Sequence, residues 1–367
     1  MRFAGPAAAL LLAPLPAAAQ TAAPAPLPSS AWTATPTSIS VAAARIVLPV
    51  KAGTASVTKT AEFSRAGEGV DNYAQYETPD GQVFVTAYVY RAAYADAALA
   101  AFATDEAVRS RFGAQVRAAE RGSVAAAGQP SGAIRVVYDG AVLNGGALTT
   151  AAAFLRVDSW IVKLRATGPA ARRAEVVAAL DALVAGVSVT GDATVYAVRP
   201  LEVTGPCPAA PGKDAKVMTG KDSTGPALFG ALLGGSVLPA KGKNGRASTI
   251  AFPANGATPA CVRGTLGNGR ITMLQPAGGA EPGIMLAPFN DAGGVLAIEG
   301  GLLGSGYTVK RYGVAEVVTG ASLDRLPPVA QVDGWMRKTS SPLDGRSRTV
   351  FKADGQTAIN IDPRVLR

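Results

Sequence analysis

Ser56-Val57-Thr58-Lys59 has the Ser-x-x-Lys spacing in which a lysine accepts the proton of a serine nucleophile. On a helix that spacing brings hydroxyl and amine onto one face. Here the residues fall in a predicted strand, where positions i and i+3 point to opposite faces. The companion Ser-Asp-Asn and Lys-Thr-Gly elements are missing, so a solvated strand is the plainer reading. Gly212-Lys213-Asp214 and Gly220-Lys221-Asp222-Ser223-Thr224 have the look of phosphate-cradling loops, yet an aspartate follows each lysine and would repel phosphate. They read as turns with solvated lysines. Gly264 to Gly269 and Gly300 to Gly306 fail the Gly-x-Gly-x-x-Gly pattern and read as tight turns. Ser305 has no glycine two residues before it, so it is not a nucleophile elbow. Glu299 and Glu316 could perform glycosidic chemistry as a pair, but nothing in the sequence says that they meet.

The chain contains no histidine. That excludes Ser-His-Asp and Cys-His catalysis, imidazole acid/base chemistry and His-based zinc sites. Catalysis would fall to carboxylates, lysine, serine, threonine or tyrosine. The two cysteines, Cys207 and Cys261, lack further soft ligands for a metal, and no cofactor motif is present. Two cysteines suit one disulfide in an oxidising compartment. Closing their 54-residue loop contributes about 4 kcal/mol on chain-entropy grounds.

The best candidate for ligand binding is the basic segment that contains Arg337, Lys338, Arg346, Arg348 and Lys352, with Asp344 its one acid. Arginines among hydroxyl residues suit a phosphate or carboxylate polymer; the plainer alternative is an exposed basic loop. The net charge of +9 is uneven. Residues 20–191 carry 15 Lys and Arg against 13 Asp and Glu, whereas residues 192–367 carry 19 against 13.

These residues must be positioned by the rest of the chain. Arg2, the Ala/Leu-rich stretch from Ala7 to Leu15 and Ala17-Ala18-Ala19 form a secretory signal pattern, with cleavage expected after Ala19. Its apolar core is too short to span a bilayer, and no later stretch reaches the required length, so no transmembrane segment is expected in the mature chain. The remainder is long enough for two domains of about 150 residues. The expected organisation is a signal peptide over 1–19, a Pro/Ala-rich tether over 20–37, an α+β domain over 38–191 and a mainly β, loop-rich domain over 192–367.

In the first domain, strands are expected at Ile46 to Val50, Ala55 to Ser64, Tyr73 to Glu77 and Val83 to Tyr90. Thr78-Pro79-Asp80-Gly81 makes the last two a hairpin. The second arm is apolar on both faces and so should be central. Two helical pieces follow, the first with Leu99 and Phe102, the second capped by Thr104 with Asp105 and Glu106 in its first turn and a stripe of Val108, Phe112 and Val116. Further strands are expected at Ile134 to Tyr138, Ala147 to Arg156 and Ser159 to Arg165. In the last, Trp160, Val162 and Leu164 alternate with Ile161, Lys163 and Arg165. Pro169 opens a helix with Val176, Leu180, Leu183 and Val187 at helical spacing. The order, an antiparallel sheet with packed helices, resembles the Mog1/PsbP-type α+β fold over residues 40–190.

Beyond Val195 the expected elements are a short helix at Ala227 to Val237, strands at Ile271 to Leu274, Ile284 to Leu286, Val295 to Glu299, Tyr307 to Tyr312 and Val314 to Val318, and a helical turn within Leu323 to Met336. A closing hairpin turns at Asp354-Gly355. Together these features predict an exported, non-enzymatic protein, periplasmic or alternatively extracellular, that binds or scaffolds an anionic envelope polymer or lipid; nucleic acid is not an expected partner. The alternatives are a histidine-independent hydrolase using carboxylates or Ser/Lys, and an accessory subunit of an envelope protein complex.

Overall fold

The computed structural model describes residues 31–64, 68–208, 212–219, 252–278, 284–300, 306–338 and 340–362. The signal pattern, the Gly220–Thr224 loop, the helix expected at Ala227 to Val237 and Ser305 lie outside the described residues. The protein is mostly β, with three sheets among the described residues. β1 (Trp32–Ala34), β2 (Ser38–Val41) and β3 (Ile46–Pro49) open the first. The second holds β4 (Lys51–Ala52), β5 (Ala55–Glu62), β6 (Asp71–Glu77), β7 (Phe84–Arg91), β8 (Arg117–Ala126), β9 (Gln129–Leu143), β10 (Gly146–Val157) and β11 (Trp160–Pro169). β12 (Ser188–Val189) returns to pair with β3. The third contains β13 (Val203–Pro206), β14 (Ala260–Leu266), β15 (Ile271–Pro276), β16 (Ile284–Pro288), β17 (Val295–Gly300), β18 (Tyr307–Gly313), β19 (Glu316–Leu323), β20 (Ser347–Phe351) and β21 (Thr357–Ile361).

The second sheet runs β4-β5-β6-β7-β11-β10-β9-β8, entirely antiparallel. β7 lies in its interior, as two apolar faces require. Gly81, at φ +66°, makes the expected turn before β7, and Thr78 Oγ1 donates to Asp80 Oδ1 at 2.7 Å. Two helices cover opposite faces. α2 (Arg173–Gly186) buries Val176, Leu180 and Leu183 against Trp160, Val162 and Leu164; α1 (Ala97–Phe112) buries Val108 and Phe112 against Ile161, Phe154 and Val136.

α1 corrects the expectation of two pieces. It is one helix capped by Asp96, whose Oδ1 accepts from Leu99 N at 2.9 Å. Thr104 is therefore a buried mid-helix residue, and Asp105 is buried with Tyr138 and Arg121 as partners. A buried carboxylate cap sets the start of the helix more firmly than a threonine inside an alanine-rich run. Gly113 ends the helix at φ +106°, and Val116 lies beyond it. Trp32, within the segment read as a tether, belongs to an edge strand because its indole N–H donates to Ala61 O at 3.0 Å.

The third sheet is antiparallel except for β13, which pairs parallel with β14. Cys207 and Cys261 form the expected disulfide and join the end of β13 to β14. β16 and the body of β17 are buried on both faces. Ile284, Leu286, Val295 and Ala297 share a cluster with Val70, Tyr94 and Leu99 of the first half. Met285, Ala287, Leu296 and Ile298 face α3 (Val329–Met336) instead. Alternation thus explains why β16 and β17 read as unbroken apolar runs. The closing hairpin turns at Gly355, φ +88°.

The start of β6 carries a pH-sensitive group. Burial, then the neighbouring Glu62 carboxylate, push the Asp71 carboxyl from 3.8 up to about 6. A pKa raised in the folded state gives stability that is full below 3.8 and is lost as pH rises through about 6. Asp71→Asn is expected to add about 1–2 kcal/mol above that range and nothing below it. Thermal unfolding on either side of the range reads this, and equal effects at both pH values would contradict it.

Candidate functional site

The third sheet builds a row of side chains that runs from apolar to cationic. Ala287 on β16 stands opposite Leu296 on β17, and Leu296 stands opposite Arg311 on β18. Adjacent strands lie about 4.8 Å apart, so the row is continuous across the sheet. α3 packs over this face through Val332 and Trp335. It starts at Pro328, whose ring fixes a φ that suits a helix entry and forbids an earlier one. With eight residues it is about 12 Å long and cannot by itself cover a sheet of this width.

Past α3 the chain makes a self-bonded turn. Ser341 N donates to Asp344 Oδ2 at 2.7 Å, and Leu343 N donates to Ser341 Oγ at 3.1 Å. This turn presses Leu343 into the core beside Trp335. Between the sheet row, the end of α3 and the turn lies a cleft of about 340 Å³. Its lining is largely apolar, and Phe289 and Met336 are each 39% exposed there. The cations on its lining are Arg311 and Lys338, both exposed. Among the described residues, neither side chain makes a hydrogen bond or ion pair.

The five cations of the basic segment have different fates. Lys338 reaches the cleft. Arg337 pairs with Asp333 one helical turn earlier and donates to Asn268 Oδ1 at 3.1 Å. Asp333 also accepts from Gly267 N at 2.7 Å, which, ahead of Arg337, holds its carboxyl below the usual 3.8. Arg337 is thus part of the clamp between α3 and the β14–β15 turn. Arg348 pairs with Glu316 across β19 and β20. Lys352 Nζ donates to Gln356 Oε1 at 3.4 Å. Arg346 and Arg348 alternate onto one face of the chain entering β20, and Arg346 has no side-chain partner among the described residues. Arg337, Arg348 and Lys352 thus have protein partners, whereas the side chains of Lys338 and Arg346 have none among the described residues. Arg311, absent from the sequence prediction, belongs with Lys338 through the β17–β18 register alone.

The other chemical candidates are also placed. A bulge between Val57 and Lys59 shifts the register of β5, so Ser56 stands opposite Glu77 and Lys59 opposite Gln75. Those partners share a face, which overturns the alternation argument that separated Ser56 from Lys59. Both are exposed, and no hydrogen bond joins them. Glu299 and Glu316 are occupied by different cations: Glu299 accepts from Lys310 at 2.8 Å and from the Tyr312 hydroxyl at 2.6 Å, while Glu316 pairs with Arg348. Gly267 and Gly269 make the expected tight turn, and Lys213 and Asp214 are exposed. Among the described residues, no group of three or more Cys, Asp or Glu is arranged to hold a metal ion, and no helix is long and apolar enough to cross a membrane.

The fold and this cleft define a mainly β protein, disulfide-linked, with a cationic apolar pocket beneath a short helix. No protein-family model and no curated protein matches the chain.

Proposed function

We propose that the protein is an exported, periplasmic binding protein for an anionic component of the cell envelope, engaged through its C-terminal half. The observation that carries this reading is the pairing of an apolar cleft with two cations, Arg311 and Lys338, left without protein partners among the described residues. A solvent-facing cation beside apolar surface has more to gain from an anionic ligand than one already paired. A non-enzymatic role is the simpler reading of this lining, whose carboxylate, Asp344, already accepts the Ser341 N–H. The disulfide suits an oxidising compartment. The same proposal takes residues 1–19 as a signal, 20–37 as largely tether, and 38–191 and 192–367 as the two domains. Two helices packed on one antiparallel sheet support reading the first as an α+β unit of Mog1/PsbP-type order.

The test is binding to lipopolysaccharide and to anionic phospholipid vesicles over a series of salt concentrations. Replacing Arg311 and Lys338 together by alanine is expected to weaken binding about tenfold or more and to flatten its salt dependence. Arg348→Ala, which removes a cation already paired with Glu316, is expected to change little. Equal binding by wild type and the double variant would remove the cleft from the account.

A further inference from the structure

Building on that reading of the cleft, we infer that its ligand is a single long acyl chain carrying one carboxylate or phosphate. The chain lies along the apolar floor, and the anionic head sits between Arg311 and Lys338. The order of side chains gives the direction. Ala287, Leu296 and Arg311 follow one another as cross-strand partners; the first two are buried beneath the floor, and the apolar surface a chain can touch beside the guanidinium is that of Ile271, Phe289 and Met336. Trp335 supplies the opposite wall, and Lys338, one helical turn further on, brings an ammonium to the same opening. A carboxylate or phosphate matches both cations and can take two parallel hydrogen bonds from the guanidinium.

Size and wall chemistry narrow the class. A cleft of about 340 Å³ is at the small end of small-molecule sites, suited to one chain rather than to a folded partner or several acyl chains. A glycan would need polar groups along the wall. The polar residues there besides the cations are Ser341 and Asp344, and both are engaged within their own turn. The exposed Phe289 and Met336 instead extend the apolar surface toward the solvent, as a chain longer than the cleft requires.

The test titrates the purified full-length protein with laurate, lauryl phosphate, hexanoate and lauryl alcohol below their micellar concentrations, by calorimetry and by tryptophan fluorescence. Laurate or lauryl phosphate is expected to bind about tenfold or more tightly than hexanoate, because each added methylene is buried. The preferred head between the first two distinguishes a free fatty acid from a lipid phosphate. Arg311→Ala with Lys338→Ala is expected to weaken laurate about tenfold and to leave lauryl alcohol within about twofold. Trp335→Phe should abolish the fluorescence change while calorimetric binding persists, since the other tryptophans, Trp32 and Trp160, lie outside the cleft. Hexanoate binding as tightly as laurate would overturn the acyl-chain inference and leave the anion-binding reading standing. Anionic vesicles that bind while laurate and lauryl phosphate both fail would do the same. Failure of vesicles, lipopolysaccharide and laurate together would overturn both.

Discussion

Replacing Cys207 and Cys261 together by serine is expected to lower the free energy of unfolding by about 4 kcal/mol. The two cysteines are 54 residues apart, and the bridge removes the corresponding freedom from the unfolded chain. The folded chain offers little to replace it. β13 is a four-residue edge strand, and its continuation is held to β14 by the Cys207 N–H, which donates to Val262 O at 2.9 Å. Cys261 is buried, so the serine hydroxyl at that position adds a desolvation cost to the lost constraint. Urea unfolding of the wild type, the reduced wild type and the double variant measures the effect. Both altered proteins should have midpoints well below that of the oxidised wild type, with the serine variant the lower of the two because of its buried hydroxyl. A difference under about 1 kcal/mol would mean that the closed loop contributes far less than its length implies.

Asp291→Ala is expected to cost about 3–5 kcal/mol, although the aspartate side chain is itself partly exposed. The reason lies on the other partner. Lys163 is buried at the middle of β11, and its ammonium donates to Asp291 Oδ2 at 2.7 Å and Asp291 O at 3.0 Å. Burial pulls the lysine pKa below 10.5, and the carboxylate opposes that shift. Without the carboxylate an ammonium is left buried with one carbonyl. A folded pKa below the unfolded one means that stability is lost as pH falls and recovers as pH rises toward 10.5. The deficit of Asp291→Ala should therefore narrow at alkaline pH. Lys163→Met combined with Asp291→Ala removes both charges and should come within about 1–2 kcal/mol of wild type. A double variant as unstable as the single would show that packing, rather than the unpaired charge, sets the cost.

Lys163 also marks the boundary of what a linear reading can see. The alternation of Trp160, Val162 and Leu164 with Ile161, Lys163 and Arg165 was legible, and the structure sends the two sets to opposite faces. Alternation places Lys163 with Ile161 and Arg165 on one face, but period alone carries no knowledge of the distant loop that covers it. Asp291 covers it from the β16–β17 connection, 128 residues away. β8 escaped notice for a related reason: Arg117–Ala126 is mostly exposed and small, so no apolar period marks it. The strands of the third sheet were legible where both faces are apolar, as in β16 and β17.

At the cleft, the sequence pointed to Lys338 and could not point to Arg311. A single cation within a strand has no signature, and its place at the end of the Ala287–Leu296 row depends on pairings of three strands. The pairing of Arg337 with Asp333 was available from their helical i, i+4 spacing, once the helix after Pro328 was recognised. The pairing of Arg348 with Glu316 was not, because it depends on the β19–β20 register.

Hydrogen–deuterium exchange of the protein with and without lipopolysaccharide tests most directly whether the cleft is where an anionic envelope component binds. Slower exchange is expected only in the C-terminal turn of α3, the Ser341–Asp344 turn and β18 around Arg311, with the protection lost as salt is raised. Binding that protects a different surface, with these three segments unchanged, would contradict it.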